Sequence, residues 1–335
     1  MIISRTPFRI SFFGGGTDYP VWYETNGGAV LSTTIDKYCY ITCRRYPPFF
    51  DDTVRVVWSK IELAENAEGI EHPTTREILK FLNLKKHVEV HHAADLPARS
   101  GLGASSSFTV GLLHALYAML GREVSKQQLA EEAIHVERDL VKDTVGSQDQ
   151  VAAAFGGFNK IVFGPGSAIT VTPVEIAPAT LEKLQDRLLL FFTGLSRSAS
   201  EVAKAQVKNT PAKEKELKAM RAMVDQGVAL LEKGDVDGFG RLLHESWQLK
   251  RGLSNLISTS DIDGMYEAAL KAGALGGKLL GAGGGGFLLV YADPSRHEAV
   301  KAALKHLLHV PFKFENEGTQ VIHNSGVVFE KNHFL

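Results

Sequence analysis

Only two cysteines occur in 335 residues, and Cys39 and Cys43 stand four positions apart in a stretch that reads as one strand. At about 3.3 Å per residue, that spacing is too wide for a disulfide, so both are expected to be reduced packing residues. No apolar run approaches the roughly 18 residues that suggest a membrane span. A content of 44% hydrophobic and 22% charged residues is that of an ordinary soluble protein. The opening Met1-Ile2-Ile3-Ser4-Arg5-Thr6-Pro7 lacks the basic segment, long apolar stretch and cleavage site of a secretory signal, which predicts a cytoplasmic protein. An excess of either charge is also lacking. The formal net charge is -1, with Lys and Arg scattered, so the footprint of a nucleic-acid binder is absent. His91, His92 and His135 have no cysteine or third histidine at zinc-site spacing and receive no role. Neither repeats nor low-complexity tracts occur, which excludes a solenoid. What remains is a small-molecule ligand met by a local site on a monomer or homodimer.

The chain is longer than the ~250 to 300 residues at which a single core usually stops growing, which predicts two lobes with a cleft between them. The first third reads as strands, at Ile2 to Arg9, Ala29 to Arg45 and Val54 to Ile61. Helical runs follow at about 105 to 120, 126 to 142, 213 to 233, 236 to 250, 261 to 272 and 295 to 309. Short strands fall at about 158 to 163, 188 to 193, 286 to 291 and 311 to 315. This mixture lacks regular βαβ alternation and predicts the α+β class. A Pro-containing, strand-poor interval at about 164 to 180 is the expected junction between domains 1–175 and 176–335.

Glycine is concentrated in three loops, where it lets backbone approach a ligand closely. They are Phe13-Gly14-Gly15-Gly16-Thr17-Asp18, Ser100-Gly101-Leu102-Gly103-Ala104-Ser105-Ser106-Ser107, and Gly281-Ala282-Gly283-Gly284-Gly285-Gly286. The second passes from a glycine turn into an apolar helix, whose free N–H groups and partial positive charge suit a triphosphate. Alternatively, its serines simply cap the helix. The third matches G-x-G-x-x-G, yet a helix is expected before it and a strand after it, the reverse of a dinucleotide site. A Walker A loop is absent too, because Leu279 follows Gly277-Lys278.

Three ordered segments together resemble the GHMP kinase motifs: Arg5-Thr6-Pro7-Phe8-Arg9 with Gly14 to Asp18, Leu96 to Ser107, and Lys278 to Gly286. The resemblance implies an N-terminal lobe like ribosomal protein S5 domain 2, a C-terminal ferredoxin-like lobe and an active site between them. It further implies that Pro97, Ser100, Gly101, Leu102, Gly103, Ala104, Ser105, Ser106 and Ser107 wrap the phosphates of ATP. Heptose 7-phosphate kinases and, next, L-fucokinases are the nearest in pattern.

Phosphoryl transfer needs positioning and charge neutralisation. Glu137 has apolar neighbours three and four positions away if Gln127 to Lys142 is helical, so its carboxylate should face the packed side and require a cation, Mg²⁺ or an Arg. The resemblance favours Mg²⁺ held by Glu137 and Ser105. Asp149 matches the family aspartate beside the reacting hydroxyl, with a helix cap as its alternative. Arg9 matches the cation near that aspartate and would stabilise charge on the transferring phosphoryl. Asp18 matches the aspartate that binds sugar hydroxyls in galactokinase, with a turn role as the alternative. Gly15 and Gly16 stand where galactokinase has Glu and His, which argues against galactose and leaves space for a bulkier sugar. Thr17, Gly283 and Gly284 are expected to line the acceptor site.

An acceptor that already carries phosphate needs its own anion site, and Ser196 and Arg197 after strand Leu188 to Phe192 supply one in principle. The expected reaction is phosphorylation of the anomeric hydroxyl of D-glycero-D-manno-heptose 7-phosphate, with L-fucose as the alternative acceptor. A catalytically silent sugar sensor is the alternative of another class, and the presence of Ser105, Glu137 and Asp149 speaks against it.

Overall fold

The computed structural model describes residues 1–98, 100–195 and 199–326. Ser196 and Arg197, the expected second anion site, lie outside the described residues. The chain begins with two long paired strands, β1 (Ile2–Phe13) and β2 (Gly28–Arg45), separated by the first glycine loop and helix α1 (Pro20–Asn26). Up to Arg5 the residues of β1 alternate between buried and half-exposed, and from Thr6 to Phe13 both faces are buried. A strand covered on both sides has no solvated side for a charge, so Arg9 at its centre must find partners inside the protein.

Around this pair the first sheet collects β3 (Val54–Val57), β4 (Ile61–Ala64), β5 (Val88–Ala94), β6 (Asn159–Gly164) and β7 (Ala168–Pro173). Between them run α2 (Pro73–Phe81), α3 (Ala104–Met119), α4 (Lys126–His135) and α5 (Gln148–Phe155). The four-stranded second sheet holds β8 (Leu188–Phe192), β9 (Ala274–Leu279), β10 (Phe287–Ala292) and β11 (Leu308–His309), all paired antiparallel. Its helices are α6 (Pro178–Gln185), α7 (Ala199–Asn209), α8 (Glu214–Glu232), α9 (Val236–Arg251), α10 (Ser260–Lys271) and α11 (His297–Ala303). The chain then returns to the first sheet through β12 (Phe314–Glu315), which pairs with β2, and β13 (Gln320–Asn324), which pairs with β1. A continuous core joins the two sheets: the Phe13 and Phe12 rings of β1 lie 4.9 and 5.2 Å from Phe239 of α9, both edge to face. Aromatic contacts of this geometry add to the area they bury.

Several sequence expectations are corrected. Val54 to Ile61 is not one strand but the start of the β3–β4 antiparallel pair. The interval 164–180 contains β7, which pairs with β6, because alternating Ile169 and Val171 outweigh the flanking prolines. The helix expected at 295 to 309 ends at Ala303, and the two short strands β11 and β12 replace the strand expected at 311 to 315. The α-helix expected to reach residue 142 stops at His135 and continues as a π-helical turn, Val136–Leu140. Helix α2 and strand β5 were hidden in a region that reads as strands and turns. Strand β9 separates α10 from the third glycine loop, so a strand does precede that loop. The dinucleotide reading still fails, because β10 rather than a helix follows.

Candidate active site

Four segments converge on a cleft of about 370 Å³ between the sheets: the Gly14–Asp18 turn, the Ser100–Ser106 loop, residues 143–150, and the Gly281–Ala282 turn with α9. The loop at Ser100 is shaped by close backbone packing. Gly101 adopts φ +78°, and a Cβ there would lie 2.5 Å from the Leu280 carbonyl oxygen, so only glycine lets the second and third glycine loops touch. Gly103, also left-handed, is the N-cap of α3 and offers no side-chain acceptor. The first helical hydrogen bond runs from Ser107 N–H to the Gly103 carbonyl at 2.9 Å. The amides of Ala104, Ser105 and Ser106 therefore precede the ladder, and three N–H groups at a helix start form an anion cradle.

The capping reading of the serines is overturned. Ser105 Oγ donates to Glu137 Oε1 at 3.3 Å and Ser106 Oγ to Glu137 Oε2 at 2.9 Å. Ser107 Oγ donates to the Pro7 carbonyl at 2.9 Å and so anchors α3 to β1 instead of facing the cleft. Leu102 is fully buried, and Pro97 lies in a separate surface depression with Asp36 and Phe192. Neither joins the phosphate cradle, in correction of the sequence expectation.

Glu137 sits one layer behind the cleft wall, 2% exposed, on the π-helical turn. Rather than a cation, its carboxylate is met by hydroxyl and amide donors: Ser105, Ser106, Thr109 Oγ1 at 2.7 Å, and Gln150 Nε2. Burial pushes its pKa up to about 7 against the pull of those donors. Gln150 Oε1 beside it is buried without a partner. The carboxylate and hydroxyl oxygens of this set suit Mg²⁺, which takes one or two carboxylates and keeps several waters.

Asp149 is not a cap, since Ser147 holds the N-cap of α5 and Asp149 lies in the first turn. Its carboxylate accepts Arg9 Nε–H at 2.8 Å and Arg9 Nη2–H at 2.7 Å, a bidentate pair, while Arg9 Nη1–H donates to the Gly101 carbonyl at 2.7 Å. Arg9 is 4% exposed and Asp149 25%, so the pair is buried on the arginine side and open on the other. One guanidinium thereby locks the aspartate to the glycine loop.

Asp18 is also no mere turn residue. It is buried, accepts Gly16 N–H and Gln148 Nε2–H, each at 2.9 Å, and its pKa is raised above the usual carboxylate value. Burial is the main cause and the Asp149 charge adds to the rise, while the Gly16 amide opposes it. Gly146 faces Asp18 so closely that a Cβ would lie 2.0 Å from Asp18 Oδ2. Gly15 and Gly16 line the cleft, but Thr17 does not: its hydroxyl donates to the Gly14 and Ala29 carbonyls inside the turn. Gly283 and Gly284 also fall outside the lining, where Gly281 and Ala282 take their place, because the loop turns toward Ile257, whose carbonyl accepts Gly284 N–H.

Sequence reasoning missed Lys250 and Lys278, both of which reach the cleft. Lys250 had a readable signal. It extends the apolar stripe Val236, Phe239, Leu243, Trp247 of α9 by three residues, so a lysine there is placed inward. Among the described residues, Ser11 Oγ, Ser100 Oγ, Gln148 Oε1 and Gln150 Oε1 are cleft-lining atoms buried without a hydrogen-bond partner. Such atoms are costly unless a ligand or water meets them.

Comparison with known proteins agrees with this geometry. The model of the GHMP kinases N terminal domain matches residues 73–157, and that of the GHMP kinases C terminal region matches residues 228–309. The D-glycero-alpha-D-manno-heptose 7-phosphate kinase of Campylobacter jejuni is 29% identical over 95% of this chain and 98% of its own length. The bifunctional fucokinase/GDP-fucose pyrophosphorylase of Arabidopsis thaliana is 27% identical over 92% of this chain and 32% of its own length. The crystal structure of a D-glycero-D-manno-heptose 1-phosphate kinase from Bacteroides thetaiotaomicron superposes with a TM-score of 0.80 at 25% identity, covering 97% of this chain and 99% of that one. With both domain models matched in order, and a helix start, a buried carboxylate and an Arg–Asp pair gathered at one cleft, this chain belongs to the GHMP kinases.

Proposed function

We propose that the protein is an ATP-dependent sugar kinase that phosphorylates the anomeric hydroxyl of D-glycero-D-manno-heptose 7-phosphate, giving the 1,7-bisphosphate. The observation that carries this reading is the placement of Asp149 and Arg9 against the same glycine loop that opens α3. Family membership makes ATP the donor, and the relatives named for heptose phosphates motivate the acceptor. The domain division is likewise a proposal: 1–175 for the nucleotide lobe and 176–335 for the second, with β12 and β13 returning to the first sheet.

In this reading the amides of Ala104, Ser105 and Ser106 bind the phosphates of ATP. Ser105 and Glu137 hold Mg²⁺, which when bound neutralises phosphate charge. Asp149 accepts the proton of the attacking hydroxyl as its oxygen bonds to the γ-phosphorus and the bond to the bridging oxygen of ADP breaks. Arg9 fixes that carboxylate and adds positive charge where negative charge develops. Asp18, Gly15 and Gly16 receive the sugar. Where galactokinase has Glu and His this chain has Gly15 and Gly16. A Cβ at Gly15 would meet nothing closer than Gln148 Nε2 at 3.6 Å, which leaves room there for the longer carbon chain of a heptose, whereas a Cβ at Gly16 would lie 2.7 Å from Gln206 Nε2.

Coupled ADP-release assays with heptose 7-phosphate, L-fucose, galactose and mevalonate decide the acceptor. Turnover of the heptose phosphate above the others is expected. Turnover of free fucose with none of the heptose phosphate would replace this reading by an L-fucokinase.

A further inference from the structure

Two buried cations in the cleft have no part in the chemistry described so far. Lys250 of α9 is 5% exposed and Lys278 of β9 is 2% exposed, and both reach the cleft. Each ammonium has a main-chain carbonyl as its hydrogen-bond partner: Gly281 for Lys250, and Phe12 for Lys278 at 2.8 Å. Neither forms a salt bridge to a carboxylate among the described residues, in contrast to Arg9. They also oppose each other. Burial is the main force lowering both pKa values, and Arg9 depresses both while Lys250 depresses Lys278, with Asp18 partly offsetting this. A buried ammonium without a counter-ion is destabilising, and two within reach of each other and of Arg9 more so.

Such a pair is tolerable where a ligand brings the missing charge. The neighbouring surface is made for one: Ser11 Oγ and Ser100 Oγ, both buried and both lining the cleft, lack partners. Ser11 precedes the Phe12 carbonyl that Lys278 holds, and Ser100 precedes Gly101, against which Gly281 packs.

We propose that Lys250, backed by Lys278, forms a second anion site in the cleft, separate from the amide-lined start of α3, that takes a terminal phosphate group. This rests on the kinase reading above, which supplies two sources of that group: the terminal phosphoryl of the nucleotide and the phosphate the acceptor already carries. The site accounts for an interior cation pair that the fold does not otherwise need, and it does so without Arg197.

Isothermal titration calorimetry on the full-length protein with ATP, ADP, heptose 7-phosphate and inorganic phosphate tests it, in wild type, Lys250→Met and Lys250→Arg. Losing a charge-assisted hydrogen bond should weaken the relevant ligand about 10- to 100-fold in Lys250→Met, and Lys250→Arg should recover part of it. Weaker heptose phosphate with an unchanged ATP-to-ADP ratio places the acceptor phosphate at Lys250. Loss of the preference for ATP over ADP places the terminal phosphoryl there. Both outcomes support the site. If all four ligands bind Lys250→Met within threefold of wild type, the proposal is wrong. Should wild type itself not bind heptose phosphate, the acceptor assignment fails, while the nucleotide and inorganic phosphate arms still decide the site. A structural role alone would lower the melting temperature and leave these ratios unmoved. If Lys250→Met does not fold, Lys278→Met is read against the same ligands.

Discussion

Replacing Lys250 by methionine should stabilise the free protein at neutral pH, although it removes a hydrogen bond. Burial holds the Lys250 pKa down at about 8, against 10.5 for a free lysine. At about 1.4 kcal/mol for each tenfold change, keeping this ammonium charged inside the fold at pH 7 costs about 3 kcal/mol. Methionine has a similar length and no charge. The substitution leaves the Gly281 carbonyl without its donor, at a cost of about 1 to 3 kcal/mol, so the net gain is about 1 kcal/mol. The pH dependence is sharper than the net value. The lysine pKa is depressed in the fold, so the charging cost is absent above pH 10.5, where folded and unfolded lysines are both neutral. It grows as pH falls toward 8 and is complete below that. Urea unfolding of wild type and Lys250→Met at pH 7 and pH 10 reads this effect, because titrating groups remote from Lys250 cancel in the difference and Lys278, which Lys250 depresses, changes in the same direction. The advantage of the variant should shrink by about 2 to 3 kcal/mol between the two pH values. An equal difference at both would show that Lys250 is not buried as a strained cation, and the anion site would lose its energetic basis.

Three further outcomes are expected. Asp149→Asn should lower turnover by about 10² to 10⁴-fold with ATP affinity largely unchanged, since the cradle amides are untouched; single-turnover and nucleotide-binding measurements check this, and near-wild-type rates would remove Asp149 from the chemistry. Gly101→Ala places a Cβ at φ +78° and 2.5 Å from the Leu280 carbonyl oxygen, so stability should fall by about 2 kcal/mol or more and the KM for ATP should rise; thermal unfolding and steady-state kinetics would show otherwise if the loop tolerates it. Ser105→Ala should raise the Mg²⁺ concentration for half-maximal activity by about tenfold, whereas Ser107→Ala, whose hydroxyl serves the Pro7 carbonyl, should leave that concentration unchanged and cost only about 1 kcal/mol of stability.

What could be read from sequence follows the strength of each local signal. Strands β1 and β2 and helices α3, α8, α9 and α10 carry long apolar patterns, and their positions were legible to within a few residues. Asp149 and Arg9 lie 140 positions apart and meet as their motifs implied. Other features were hidden by competing chemistry. Gly276 and Gly277 disguise β9, and helix α2 begins at Pro73 within a region dominated by strand formers. Motif membership also did not specify side-chain direction. Thr17, Leu102 and Ser107 belong to the glycine-loop segments but spend their side chains on the core or on main-chain carbonyls. Lys250 showed the opposite failure: no motif named it, and only its place on the apolar stripe of α9 announced that it points inward.

A crystal structure of the protein with Mg²⁺ and a non-hydrolysable ATP analogue examines the phosphate cradle most directly. The polyphosphate chain should lie on the amides of Ala104 to Ser106, with the cation on Ser105 and Glu137 and the terminal group facing Asp149. Phosphates bound elsewhere, with the start of α3 left to solvent, would contradict the account.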